Sequence, residues 1–182
     1  MPLSCSMQTP GAIRIASPQM GLMGSHNGYN MQLDQLYGYW DLVSLIATMP
    51  DGEQVLPMGP SPKGLGYYGP DGIVMVILTT GDRPHFSSLV IAQRTPEEAI
   101  RGFDTSLSYY GTYTVDVERA EILHKIERCS FPNLEGREMK RTVEIDGDRM
   151  VLAADILVPR PATPQGVWAR ALNVWNRRRV SR

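Results

Sequence analysis

The chain has 182 residues with 18 basic and 19 acidic side chains, and this balance argues against a general nucleic-acid-binding protein. Its two cysteines, Cys5 and Cys129, are far apart, so they predict neither a disulfide framework nor a metal site. The longest strongly apolar run, residues 73–78, is too short to span a bilayer as a helix, and the N-terminus lacks the pattern of a secretory signal. We therefore expect a soluble, cytoplasmic protein with one domain.

The first thirty residues are rich in Met, Gly, Ser, Pro and Asn and show neither helical nor strand periodicity, so 1–30 is predicted to be a disordered extension. Residues 31–178 form the predicted domain, and 179–182 form a basic tail. Within the domain, Leu33 and Leu36 lie on one predicted helical turn. They are expected to close the same end of the sheet as Trp40, which stands in a Gly-x-Trp pattern at 38–40.

Eight strands are predicted, and most of them are joined by turns of explicit chemistry such as Asp146-Gly147. Their ranges are 38–48, 64–68, 73–79, 109–117, 120–131, 137–145, 148–154 and 167–175. Eight antiparallel strands joined by hairpins favour an all-β, closed up-and-down barrel. A two-sheet sandwich is the structural alternative.

One α-helix is predicted between the third and fourth strands, at 96–107. Thr95 is a capping residue, Pro96 fits the first helical position, and Glu98 lies three residues after the cap. The preceding strand, 73–79, is apolar on both faces. We therefore expect this helix to cover the outer face of that strand.

Strand register predicts which polar side chains point into the barrel. A turn at Glu118-Arg119 places Tyr113 opposite His124, and a turn at Asp146-Gly147 places Arg141 opposite Leu152 and Val143 opposite Met150. Tyr113, His124 and Arg141 then lie on three consecutive strands among apolar neighbours. A buried Arg needs a partner such as a ligand carbonyl or carboxylate, and His and Tyr can transfer protons. These three are the candidate catalytic residues; the alternative is that they only satisfy one another.

Further residues are predicted to contact a ligand because they face the cavity or stand at its mouth. They are Tyr109, Tyr67, Trp40, Met75, Met139, Arg83 and Trp175. Either Tyr67 or its neighbour Tyr68 can face the cavity, and core packing is an alternative role for Trp175. No phosphate-binding loop or metal-ligand spacing occurs, so no cofactor and no metal are expected.

Several of these stretches together resemble the lipocalin-like domain proteins of bacteria and fungi. The resemblance extends from about Gly38 to Arg178 and is carried by 38–44, 64–68, 70–72, 83–84, 95–99, 109–113, His124, 131–133, Arg141 and Trp175. It implies an eight-stranded calycin-type barrel. In fungi, similar small barrels accompany secondary-metabolite pathways, where some of them cyclise or isomerise polyketide or terpenoid chains.

Three functions remain open at this point. The first is a barrel that binds an apolar, oxygenated metabolite and isomerises or cyclises it without a cofactor. The second is a carrier that binds a similar ligand without changing it, and the third is a module whose barrel is filled by its own side chains. The expected partner is a hydrophobic small molecule, not nucleic acid or a membrane. The oligomeric state, with a homodimer as one option, is left open.

Overall fold

The structure is a computed structural model that describes residues 32–161 and 163–179. The predicted disordered segment 1–30 lies outside the described residues. Of the predicted tail 179–182, only Arg179 is described, and its side chain donates to the Asp148 carboxylate.

The described chain forms a closed, antiparallel β-barrel with one α-helix, so the predicted fold is confirmed. The elements are β1 (Gly38–Thr48), β2 (Gln54–Val55), β3 (Lys63–Tyr68), β4 (Ile73–Thr79), α1 (Pro96–Asp104), β5 (Ser106–Asp116), β6 (Glu121–Cys129), β7 (Glu138–Asp146), β8 (Arg149–Arg160) and β9 (Thr163–Arg177). Eight of these strands, β1 and β3 to β9, pair in chain order, and β9 pairs back with β1. This closure, which leaves no edge between β9 and β1, excludes the sandwich.

The short strand β2 was not predicted, and several element boundaries differ from the prediction, most clearly those of α1, β8 and β9. The helix ends at Asp104, three residues early, because Ser106 and Leu107 pair with β4. Strand β8 continues beyond residue 154, and strand β9 begins before residue 167, so the two strands form one long hairpin. Its outer part is held by a second small apolar cluster, made of Ala47, Met49, Val158, Ala169 and Ala171.

The predicted hairpin registers are partly correct. Tyr113 does lie opposite His124. The β7–β8 turn is displaced, however, because Asp146 pairs with Arg149, so Val143 opposes Leu152 and not Met150. A shift of two residues leaves every side chain on its predicted face, since side chains alternate with a period of two.

One end of the barrel is closed by Trp40, as predicted. The fully buried indole donates its N–H to the carbonyl oxygen of Leu36 at 2.8 Å. Leu36 is buried beside it, whereas Leu33, which was also expected here, is exposed. Trp175 pairs with Leu42 on β1 and lies in the same buried core as Trp40.

Arg177, which the sequence patterns did not single out, completes this closure. Its guanidinium lies 4.2 Å from the centre of the Trp40 ring. It also donates to the carbonyl oxygens of Tyr37 at 2.8 Å and Gln35 at 2.5 Å. One side chain therefore ties β9 to the turn before β1.

We expect Arg177→Met to lower the free energy of unfolding by about 2 kcal/mol, because it removes a cation–π contact and leaves two carbonyl groups without a donor. Urea unfolding followed by tryptophan fluorescence measures this loss. The neighbouring Arg178→Met is the control, since Arg178 forms an exposed ion pair with Asp41 and its loss is expected to change little. Equal stability of the two variants would contradict a closing role for Arg177.

Helix α1 begins as predicted, with a reciprocal cap. The Thr95 hydroxyl accepts from the Glu98 backbone N–H, and the Glu98 carboxylate accepts from the Thr95 N–H at 2.9 Å. The helix does not cover the outer face of β4, however, because Met75 and Ile77 remain about half exposed. The expectation of a covering helix is therefore wrong.

Candidate functional site

Four buried polar side chains form a continuous chain of hydrogen bonds inside the barrel. They are Tyr68 on β3, Tyr109 on β5, His124 on β6 and Arg141 on β7, and none is more than 8% exposed. The two ring nitrogens of His124 contact different tyrosines: Nε2 lies 3.0 Å from the Tyr68 hydroxyl and Nδ1 lies 3.1 Å from the Tyr109 hydroxyl. Arg141 Nη2 donates to the Tyr109 hydroxyl at 3.2 Å. We call this set the polar chain.

A β-bulge lies in the strand pair that carries Tyr109 and His124. The register between β5 and β6 shifts between Tyr110 and Gly111, so β6 carries an extra residue and Tyr109 pairs with Cys129. A side chain at position 111 would place its Cβ 2.0 Å from the carbonyl oxygen of Lys125. Glycine is therefore required where the two strands approach.

The polar chain contains one hydroxyl hydrogen that its own contacts do not use. Three contacts need three hydrogens, but the Arg141 N–H, the two tyrosine hydroxyls and the neutral imidazole supply four. If Tyr109 donates to His124, the imidazole donates to Tyr68 and the free hydrogen is on Tyr68. In the other tautomer the free hydrogen is on Tyr109. The chain can therefore donate to an acceptor at either end.

The electrostatics of the polar chain are set by burial. Burial and then the charge of Arg141 lower the pKa of His124 well below its usual value, so the ring is neutral. Burial also raises the pKa of Tyr68. It opposes the charged form of Arg141, but the interaction with Tyr109 holds the pKa of the guanidinium above its usual value. The polar chain thus contains one cation and no anion.

The polar chain lies between a filled core and a more open end of the barrel. Towards the closed end, the interior is packed with fully buried side chains that include Trp40, Ile122 and Met150. At the opposite end, four partly exposed apolar residues pack against this core: Met58, Leu107, Cys129 and Met139. We call these four the mouth. Tyr109 pairs with Cys129 and His124 pairs with Met139, so the polar chain adjoins the mouth.

Of the three candidate catalytic residues, the structure brings His124 and Arg141 into one network, through Tyr109. Tyr113 faces the interior, but its hydroxyl donates to the carbonyl oxygen of Gly69 at 2.7 Å and not to His124. Burial raises its pKa to about 12. Tyr113 therefore contacts the polar chain only through its ring, which packs edge-on against Tyr68.

The residues predicted to contact a ligand occupy different places. Tyr109 belongs to the polar chain and Met139 to the mouth, while Trp40 and Trp175 are buried in the core. Arg83 donates to Thr105 Oγ1 at 3.1 Å and to the Gly102 carbonyl oxygen at 3.3 Å, which ties its loop to the end of α1.

Tyr67 and Met75 lie on the outer wall, which is at odds with the expectation that they line the cavity. Tyr67 packs against Tyr39 at 4.9 Å between ring centres, and Met75 is its neighbour on β4. Tyr68 faces inward instead of Tyr67. Alternation did not show which of Tyr67 and Tyr68 faces inward, because two adjacent tyrosines have the same polarity. The face of Met75 was mispredicted because β4 is apolar on both faces.

Two open clefts lie at the barrel surface. The larger, of about 510 Å³, is found where β1 separates from β3, and it is lined by Asp41, Leu42, Lys63, Gly64, Leu65, Ile77, Thr79 and Arg178. The smaller, of about 280 Å³, borders β6 to β9 and is lined by Glu121, Lys140, Arg141, Thr142, Ala153, Asp155 and Arg170. In the part of the chain that the structure describes, no three His, Cys, Asp or Glu side chains are placed to hold a metal ion.

No helix among the described residues is both long enough and apolar enough to cross a membrane. A search of curated proteins gives no match to this chain. The family model of the lipocalin-like domain matches residues 37–178, which include every strand of the barrel and the whole polar chain. The chain therefore belongs to the lipocalin-like domain family.

Proposed function

We propose that this protein takes an apolar, oxygen-bearing metabolite into its barrel through the mouth and isomerises or cyclises it without a cofactor. A lipocalin-like barrel indicates binding of a small hydrophobic molecule. The catalytic part of the proposal is supported by one observation, the polar chain with its buried cation and its unused hydroxyl hydrogen.

Arg141 and Tyr109 are suited to hold a carbonyl oxygen of the substrate. When a proton leaves the carbon next to a carbonyl, negative charge develops on that oxygen. A fixed guanidinium in a dry site stabilises such charge more strongly than water does. The apolar walls would hold the substrate in one conformer and exclude water.

Proton movement would use the tyrosine–histidine–tyrosine part of the polar chain. One tyrosine oxygen accepts the substrate proton and passes its own to one nitrogen of His124. The other nitrogen gives its proton to the second tyrosine, whose hydroxyl hydrogen returns to the substrate at another atom. The imidazole is neutral before and after, and the step balances without cofactor or co-reactant.

Native mass spectrometry of the protein purified from its own organism, followed by extraction, would identify the bound metabolite. With that metabolite or its precursor as substrate, we expect Tyr68→Phe and Tyr109→Phe to lower kcat by about a hundredfold or more, since general acid–base catalysis contributes at least this much. The control is Tyr110→Phe, a matched change on the outer wall next to Tyr109.

Each outcome of this experiment has a clear meaning. Unchanged turnover in both variants, with the fold intact, would exclude the relay. Tight binding of a metabolite that no amount of protein converts would identify a carrier. Purified protein that contains no small molecule and takes up no apolar probe would support a barrel filled by its own side chains.

A further inference from the structure

The described residues do not balance the positive charge inside this barrel. In the described part of the chain, the buried polar or charged side chains are Glu98, His124 and Arg141. The Glu98 carboxylate is used outside the barrel, where it accepts from Thr95 and from the Ser87 N–H at 2.6 Å. None of the ion pairs among the described residues includes Arg141.

Carboxylates on the neighbouring strands do not supply the missing charge. Glu121, on β6, is paired with Lys140 at 2.7 Å. Asp155, on β8, is paired with Arg170 at 3.3 Å. The neighbours that do face the Arg141 side chain are neutral: Tyr109 offers a hydroxyl, and burial keeps both His124 and Tyr68 uncharged at neutral pH.

A folded barrel that retains a desolvated, unpaired guanidinium should discriminate strongly by ligand charge. The dehydration of Arg141 has already taken place in folding, so an anion that reaches it gains a strong interaction in a dry environment. A neutral ligand gains only a hydrogen bond there, and a cation is repelled. The guanidinium also offers its donors as a planar pair that matches a carboxylate or an enolate.

From this charge imbalance we propose that the ligand is a monoanion, an apolar body with one carboxylate or enolate group that pairs with Arg141. The inference rests on the proposed function, namely that the barrel binds a small apolar molecule. The acidic group lies at Arg141 and Tyr109, and the apolar body extends past Met139 towards the mouth. Neutral terpenes and simple alcohols are then poor ligands.

Three probes with an eight-carbon chain and different head groups test the proposal: octanoate, 1-octanol and octyltrimethylammonium. Isothermal titration calorimetry with the full chain at pH 7 compares their dissociation constants. We expect octanoate to bind at least tenfold more tightly than 1-octanol, and the cation to bind most weakly. In Arg141→Met the preference for octanoate should disappear while 1-octanol binds at least as well as before.

The control variant is Arg170→Met, which removes an exposed cation on the adjacent outer wall and should preserve the preference. Equal binding of octanoate and 1-octanol to the natural protein would overturn the charge inference and leave the binding function intact. Retention of the preference in Arg141→Met would overturn the assignment to Arg141. Failure of all three probes to bind would overturn both the inference and the binding function on which it rests.

Discussion

Arg141→Met is expected to raise the free energy of unfolding of the ligand-free protein by about 1–3 kcal/mol while abolishing its ligand selectivity. Arg141 is buried and has no carboxylate partner among the described residues, so folding dehydrates its charge without an ion pair in return. Methionine is unbranched and flexible like the arginine stem, is apolar and has no charge to dehydrate. Tyr109 keeps a hydrogen bond to His124 in the variant. Urea unfolding should show a higher midpoint with an unchanged slope.

The methionine variant separates a functional role from a structural one. Arg141→Ala is less informative, because a cavity left by the long side chain costs about 2–4 kcal/mol whatever the role of the charge. If Arg141 had only a structural role, Arg141→Met would be clearly less stable than the natural protein. A gain in stability with a loss of the preference for anionic ligands is the pattern of a residue retained for function.

His124 is expected to make the protein less stable as the pH falls below about 6.5, the usual pKa of histidine. In the folded protein, burial and Arg141 lower the pKa of His124, so the ring stays neutral where the unfolded chain takes up a proton. The unfolded state therefore binds more protons below pH 6.5, and its proton uptake favours unfolding. Each pH unit between 6.5 and the folded-state pKa costs about 1.4 kcal/mol.

His124→Gln tests this dependence, because glutamine can still bond both tyrosines but does not titrate. Between pH 7 and pH 5 we expect the natural protein to lose about 2 kcal/mol of stability relative to the variant, as read from urea midpoints. His85→Gln is the control, since His85 is exposed. Parallel pH profiles for the natural protein and His124→Gln would mean that the folded barrel takes up the proton as readily as the unfolded chain.

Local chemistry in the sequence was enough to predict the barrel. The turn at 69–72, the reciprocal cap of Thr95 and Glu98, and the Gly-x-Trp start of β1 each determine a short segment through bonds between near neighbours. The inward positions of His124 and Arg141 followed from alternation in β6 and β7. The predicted β7–β8 register was wrong by two residues, and an even shift leaves each side chain on the same face.

The membership of the polar chain depended on the tertiary structure. Sequence alternation assigns a side chain to a face, but it does not say where a long side chain ends. Tyr113 lies directly opposite His124, yet its hydroxyl donates to the Gly69 carbonyl oxygen, whereas Tyr109, which precedes it on the same strand, reaches the ring. Tyr68 comes from a strand fifty-six residues away in sequence.

The sequence by itself determined the eight barrel strands, the helix cap and the inward faces of β6 and β7, because these depend on interactions between residues close in the chain. Only the tertiary structure decided that Arg177 closes the barrel over Trp40 and that Arg141 has no carboxylate partner among the described residues. Barrel closure and charge balance depend on which strands become neighbours and how their side chains pack. The contacts of Arg177 and Arg141 form only when β9 pairs with β1 and the barrel interior is buried.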